Sequence, residues 1–214
     1  ALEPAYEVAG DAFDYSLSLE RVEVAIFDAM GHGLEAARMA NLAMGSYRHS
    51  RRAGAGLEAS YRALDEVIEG EFGEDRFVTG QIGVLDTAIG RFSWVNAGHP
   101  GPLLVRGAKL VGGPEGRVSL PFGLGDKAPE VNTVALEPED RLVFYTDGLV
   151  EATSPSGEPF GEERLADAVI SAYSEQHAVS EAARRLMNAV VQHRGVTVTD
   201  DATVMILAWR GQLL

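Results

Sequence analysis

The spacing of apolar residues changes period several times along this chain, and few folds accommodate the resulting order. Residues 13–19 and 22–27 read as two short strands separated by the polar pair Glu20–Arg21. After Gly33 the spacing turns helical, with Leu34, Ala37, Leu42 and Tyr47 on one face and a basic stretch, 48–52, closing it. Cationic side chains are favourable at a helix C-terminus, so that stretch is expected to be a cap. Leu57, Tyr61, Leu64, Val67 and Ile68 give a second helical stripe. The period of strands then returns in FVTGQIGVLD (77–86), RFSWVNA (91–97) and PLLVR (102–106), with AIG as a tight connection between the first two. Another strand at RLVFYTDG (141–148) precedes two more helical stripes, Leu165, Val169, Ile170, Tyr173 and Ala182, Ala183, Leu186, Val190. ATVMILAW (202–209) closes the chain as a strand. Strand runs separated from helix pairs predict an α+β domain. The glycine- and proline-rich stretch 107–129 is expected to be surface loop, because apolar segments on both sides of it look like members of one sheet system.

Bulk properties narrow the function classes. A chain of 214 residues suits a single domain, 1–214, with a substantial core. The net charge of −14 argues against nucleic acid and anionic membrane as partners. Zero cysteines exclude disulfides, thiolate zinc sites and cysteine catalysis, and fit a reducing, cytoplasmic setting. No apolar run approaches the roughly 20 residues that span a bilayer. Because it opens on Ala1, the chain is expected to be the catalytic fragment of a longer regulatory protein.

One local pattern recurs. In VEVAIFDAMGHGLEA (22–36), Asp28 closes an apolar run and glycines follow before a helix. Asp147 likewise follows a hydrophobic strand and precedes Gly148, Asp200 and Asp201 come just before the last strand, and Asp11 precedes the first. Asp14, three residues beyond Asp11, is a further carboxylate, otherwise read as a solvated strand residue. Aspartates at strand ends are common turn chemistry. Carboxylates that met without a cation would repel one another and protonate. Hard oxygen ligands suit Mg²⁺ or Mn²⁺, and a pair of such ions activates water and clamps a phosphoryl oxygen.

Four motifs in order carry a resemblance: AGDAFDYSLSLERVEVAIFDAMGHGLEAARMA (9–40), WVNAGHPGPLLV (94–105), LVFYTDGLVEA (142–152) and DDATVMILAW (200–209). Together they resemble the sporulation stage II E (SpoIIE)-type branch of the metal-dependent type 2C (PPM) serine/threonine phosphatases. The resemblance runs from Ala9 to Trp209. It implies an α-β-β-α sandwich, two antiparallel sheets flanked by helix pairs, with two Mn²⁺ or Mg²⁺ ions at one sheet edge. By motif, Asp28 looks like the carboxylate that bridges both ions, and Asp11, Asp147 and Asp200 like further ligands. Ala29 stands where the family offers a backbone carbonyl. The choice of Asp200 over Asp201 rests on motif alignment alone.

The reaction so implied is in-line hydrolysis of a phosphoserine or phosphothreonine by a metal-activated water, with no covalent intermediate. His32 is the local candidate for the general acid, against a turn-packing reading, and His99 in NAGHP is expected to shape a loop. The resemblance further implies a bacterial signalling phosphoprotein, an anti-sigma-factor antagonist, as substrate. An upstream sensor, an activator or a second copy of the chain would act through the stripes at 34–47 and 57–68, against the competing reading that both helices only cover the sheet. Two departures stand out: no Arg or Lys precedes Arg21, where eukaryotic relatives carry a phosphate-holding arginine, and Ala9 replaces a usual glycine. Two alternatives remain at this point, a small-molecule phosphomonoesterase and a catalytically decayed binding module. Substrate preference separates the first from a protein phosphatase, and Mn²⁺ titration separates the second.

Overall fold

Alternate residues of segment 21–29 enter two different cores. Ala25, Phe27 and Ala29 join one apolar cluster, and Val24 and Ile26 join another. Successive strand side chains point to opposite faces, so this strand lies between two layers. The computed structural model of the chain describes residues 1–3, 8–125, 128–175, 178–194 and 200–211. Its elements in order are β1 (Leu2–Glu3), β2 (Asp11–Leu17), β3 (Arg21–Ala29), α1 (Gly33–Arg52), α2 (Leu57–Phe72), β4 (Val78–Asp86), β5 (Arg91–Ala97), β6 (Leu103–Arg106), β7 (Lys109–Gly112), β8 (Val118–Ser119), β9 (Asn132–Ala135), β10 (Arg141–Tyr145), α3 (Asp147–Val150), α4 (Gly161–Ser174), α5 (Val179–Arg194) and β11 (Ala202–Ala208).

Among the described residues these strands form two sheets. One runs β2-β3-β4-β5-β8 with β9 also paired to β5, and the other runs β1-β11-β10-β6-β7. All pairings are antiparallel except β5 with β8. Met39, Ala43 and Tyr47 of α1 and Tyr61, Leu64 and Ile68 of α2 cover the outer face of the first sheet. Leu165 and Val169 of α4 and Leu186 and Val190 of α5 cover Val143, Tyr145 and Val204 on the second. Between the sheets lies a third cluster, including Val24, Ile26, Leu85, Phe92, Trp94, Leu142, Phe144 and Leu207. Each such buried side chain contributes about 1.5–3 kcal/mol. The molecule is therefore an α-β-β-α sandwich, as the motifs implied. No helix among the described residues is long and apolar enough to cross a membrane.

The structure departs from the sequence reading in its short elements. β7 and β8 lie inside the stretch taken as loop, and β9 and α3 were not anticipated. β7 buries none of its four residues, so no alternation marks it in the sequence. β2 begins at Asp11 rather than beyond it, and β3 continues through Asp28 to Ala29. The first two aspartates thus belong to the ladder and not to turns.

Asp14 is not a solvated residue. It is buried, and its carboxylate accepts hydrogen bonds from Arg48 Nε and Nη2 (3.0 and 2.8 Å) and Arg51 Nη2 (3.2 Å). The basic stretch at the end of α1 therefore clamps that helix to β2 as well as ending it. Asp14→Ala removes the partner of a nearly buried Arg51 and is expected to cost about 2 kcal/mol, less than a fully buried pair because Arg48 is solvated. Urea denaturation checks this. Turnover at saturating Mn²⁺ should be unchanged, since the ion pairs satisfy this carboxylate away from any metal.

Candidate active site

Strand periodicity decides what faces the space between the sheets. In β3, Asp28 shares a face with Val24 and Ile26, and its ladder partners are Asp11 in β2 and Thr79 in β4. Thr146 continues the intersheet face of Leu142 and Phe144, and Thr203 that of Met205 and Leu207. The intersheet layer thus passes from apolar to polar at one end, where Asp11, Asp28, Thr79, Thr146 and Thr203 meet. Burial there requires hydrogen-bond partners. Both threonine hydroxyls donate to Asp11 Oδ2, Thr146 at 2.8 Å and Thr203 at 2.6 Å, tying β2 to the opposite sheet.

The later aspartates arrive from the second sheet. Thr146 precedes α3, and Asp147 is the first residue of that short helix. Asp200 and Asp201 lead into β11. Asp201 is buried and its Oδ2 accepts the Gly10 amide, whereas Asp200 is exposed and its Oδ1 accepts the Asp201 amide at 2.8 Å. Gly148 is required for this approach: a Cβ there would lie 2.0 Å from the Asp201 carbonyl oxygen and 3.1 Å from Asp200 Cβ. Gly10 also draws β3 in, since the Ala29 amide donates to its carbonyl at 3.2 Å.

Charge follows from this convergence. Burial, with Asp11, Asp147, Asp200 and Asp201 adding repulsion, pushes the Asp28 carboxyl up to about 8. Asp11 is pushed up to about 7, chiefly by burial, although the two threonine hydrogen bonds act in the opposite direction. Asp200 is raised as well, again by burial first. Asp11, Asp147, Asp200 and Asp201 thus all lie within electrostatic reach of Asp28. Among the described residues, no three Asp, Glu or His side chains stand closely enough to cage an ion as they are. The donor set nevertheless fits a hard divalent cation: all are oxygen donors, and the ionised form of Asp28, disfavoured by burial and neighbouring carboxylates, is what such an ion would stabilise. An ion would draw the carboxylates together.

A pH dependence follows. Asp11 and Asp28 hold protons in the folded chain at pH values where the unfolded chain, at an ordinary 3.8, has lost them. Their contribution to stability is complete below that ordinary value and is lost as pH rises through about 7 and 8. In a chelator, melting temperature should fall from pH 5 to pH 8 more steeply in the parent than in Asp28→Asn, by at most about 1.4 kcal/mol per pH unit for that group. Saturating Mn²⁺ should remove the difference in slope. Parallel melting curves in chelator would refute the assignment of these shifts.

His32 lies at the N-cap of α1, exposed, with extended backbone (φ −146, ψ 166) and no side-chain capping bond. His99 is buried instead, its Nδ1 2.9 Å from Thr79 Oγ1 and its backbone held at both ends by the Asn96 amide. It does shape the loop after β5, as expected from the sequence. Thr79, Thr146, Thr203 and the anchoring part played by Asp201 were missed. The two later threonines carried a usable signal: each continues the inward phase of its strand.

The chain belongs to the stage II sporulation protein E (SpoIIE) family, whose model matches residues 18–210. That makes it a phosphatase domain of the PP2C type, a class of serine/threonine phosphatases. Among curated relatives, Protein IcfG of Synechocystis sp. is 24% identical over 97% of this chain and 37% of its own length. Phosphoserine phosphatase RsbP of Bacillus subtilis is 26% identical over 69% of this chain and 38% of its own length. The chain thus spans less than two-fifths of either relative. The solved RsbU and RsbW domains of Rv1364c from Mycobacterium tuberculosis superpose with a TM-score of 0.82 at 26% identity, over 98% of this chain and 59% of that one. The catalytic domain of the serine/threonine phosphatase PstP, solved with two manganese ions, shares the fold at a TM-score of 0.66 and 17% identity, over 99% and 97% of the two chains.

Proposed function

We propose that this domain hydrolyses a phosphoserine or phosphothreonine on a bacterial signalling protein of the anti-sigma-factor-antagonist class, in the cytoplasm, using two Mn²⁺ or Mg²⁺ ions. The observation that carries the reading is the ladder pairing of Asp11 with Asp28, at a point where Asp147, Asp200 and Asp201 also act on Asp28. The family membership, the phosphoserine phosphatase RsbP among the relatives and the manganese ions in PstP support it.

Asp28 is the shared ligand in this reading. Asp11, Asp147 and Asp200 supply the other carboxylates and the Ala29 carbonyl a neutral oxygen. When bound, the ions supply an activated water and neutralise charge on the phosphoryl oxygens. The chain's own part is positional. The two threonines fix one Asp11 oxygen and leave Oδ1 for a cation. The Asp201 carboxylate, held by the Gly10 amide, anchors the approach to β11, while Asp200 is exposed and able to turn inward. His32, beside the site at the start of α1, is the candidate donor of a proton to the departing seryl or threonyl oxygen. In this reading, recognition relies on protein–protein contacts around the acidic site. A sensor segment of the whole protein, or a second copy of the chain, is the regulatory partner.

The test compares Mn²⁺-dependent phosphate release from a phosphoserine-bearing antagonist protein with release from small aryl phosphates. This reading expects a higher kcat/KM for the phosphoprotein. A preference for the aryl phosphates would favour a small-molecule phosphomonoesterase.

A further inference from the structure

His99 occupies an unusual place for a loop residue. It follows β5 directly and is 4% exposed, at the polar end of the intersheet layer. Its backbone is locked in a three-residue turn, with its N–H donating to Asn96 Oδ1 at 2.8 Å and its carbonyl accepting from Asn96 Nδ2 at 2.9 Å. On the first sheet, Nδ1 meets the hydroxyl of Thr79, the ladder partner of Asp28, and the same hydroxyl lies 3.5 Å from the Asp28 carbonyl. On the second sheet, the ring's polar neighbour is the Tyr145 backbone, two residues before Asp147. Nε2 is buried and meets no hydrogen-bond partner among the described residues. Burial lowers the imidazole to about 4, against the opposing pull of that backbone group, so the ring is neutral at physiological pH. Nothing in the hydrolytic reading uses it.

We propose that His99 is a positioning residue that holds the Thr79 hydroxyl beside Asp28 and so fixes the strand end that carries this metal-binding carboxylate. A neutral ring suits this task, since a charge there would disturb the aspartate beside Thr79. The claim rests on the metal-dependent reading above. Residues that orient ligands without touching the ion typically change metal affinity or activity by about 10–100-fold when replaced.

The test is Mn²⁺ binding by isothermal titration to the parent, His99→Ala, Thr79→Val and Thr79→Ser, with thermal melts of each in chelator. His99→Ala and Thr79→Val should each weaken Mn²⁺ binding by about tenfold or more, and Thr79→Ser, which keeps the hydroxyl, should restore it. A purely structural histidine would lower the melting temperature and leave Mn²⁺ affinity unchanged, and that result overturns the proposal. If His99→Ala does not fold, the two threonine variants decide: equal affinities for Val and Ser overturn it. A parent that binds no Mn²⁺ would instead defeat the metal-dependent reading itself.

Discussion

Asp28→Asn should remove about a thousandfold or more of Mn²⁺-dependent turnover while the fold survives. The side chain keeps its shape and its place opposite Asp11 and Thr79, so the ladder and the neighbouring apolar clusters lose nothing. What it loses is the negative charge that two cations would share, and a neutral amide cannot substitute for it. A thousandfold corresponds to about 4 kcal/mol of transition-state stabilisation, a modest share of what such ions supply. Without metal the variant should be the more stable protein at pH 8, because the parent there must ionise a buried carboxyl pushed up to about 8. Phosphate release and melting in chelator test the two halves separately. Turnover within tenfold of the parent would remove Asp28 from the centre of the chemistry.

Gly148→Ala should damage both fold and site. The new methyl would lie 2.0 Å from the Asp201 carbonyl oxygen, far inside van der Waals contact, with Asp200 Cβ also at 3.1 Å. Neither neighbour is the end of a flexible side chain. The β10–α3 corner and the approach to β11 must separate, which costs about 3 kcal/mol or more and parts Asp147 from Asp200 and Asp201. Melting temperature and Mn²⁺ affinity should fall together. A variant that melts and binds as the parent does would mean that the two segments are not held in this contact.

The long, regular elements were legible because their apolar spacing repeats. β3 and β4 carry apolar runs buried on both faces over nine residues each, and α1 and α2 carry continuous stripes. β8 and β9 escaped notice because two to four residues cannot establish a period. Asp28 stood out as an aspartate ending an apolar run, yet nothing local revealed that Asp11 faces it. That fact comes from ladder register, which pairs residues 17 apart in sequence. Asp14 was misread for the same reason: its partners lie 34 and 37 residues away on a helix. Asp200 and Asp201 are neighbours in sequence with different surroundings, one exposed and one anchored to Gly10, and only packing separates them. The His99 ring found its partner only once β4 lay beside β5, which sets Thr79 against it.

The most direct measurement is anomalous diffraction at the manganese edge from crystals grown with Mn²⁺. The account expects two peaks, with the Asp28 carboxylate between them and Asp11, Asp147 and Asp200 drawn in as further ligands. Peaks elsewhere on the surface, or none in crystals at saturating Mn²⁺, would contradict it.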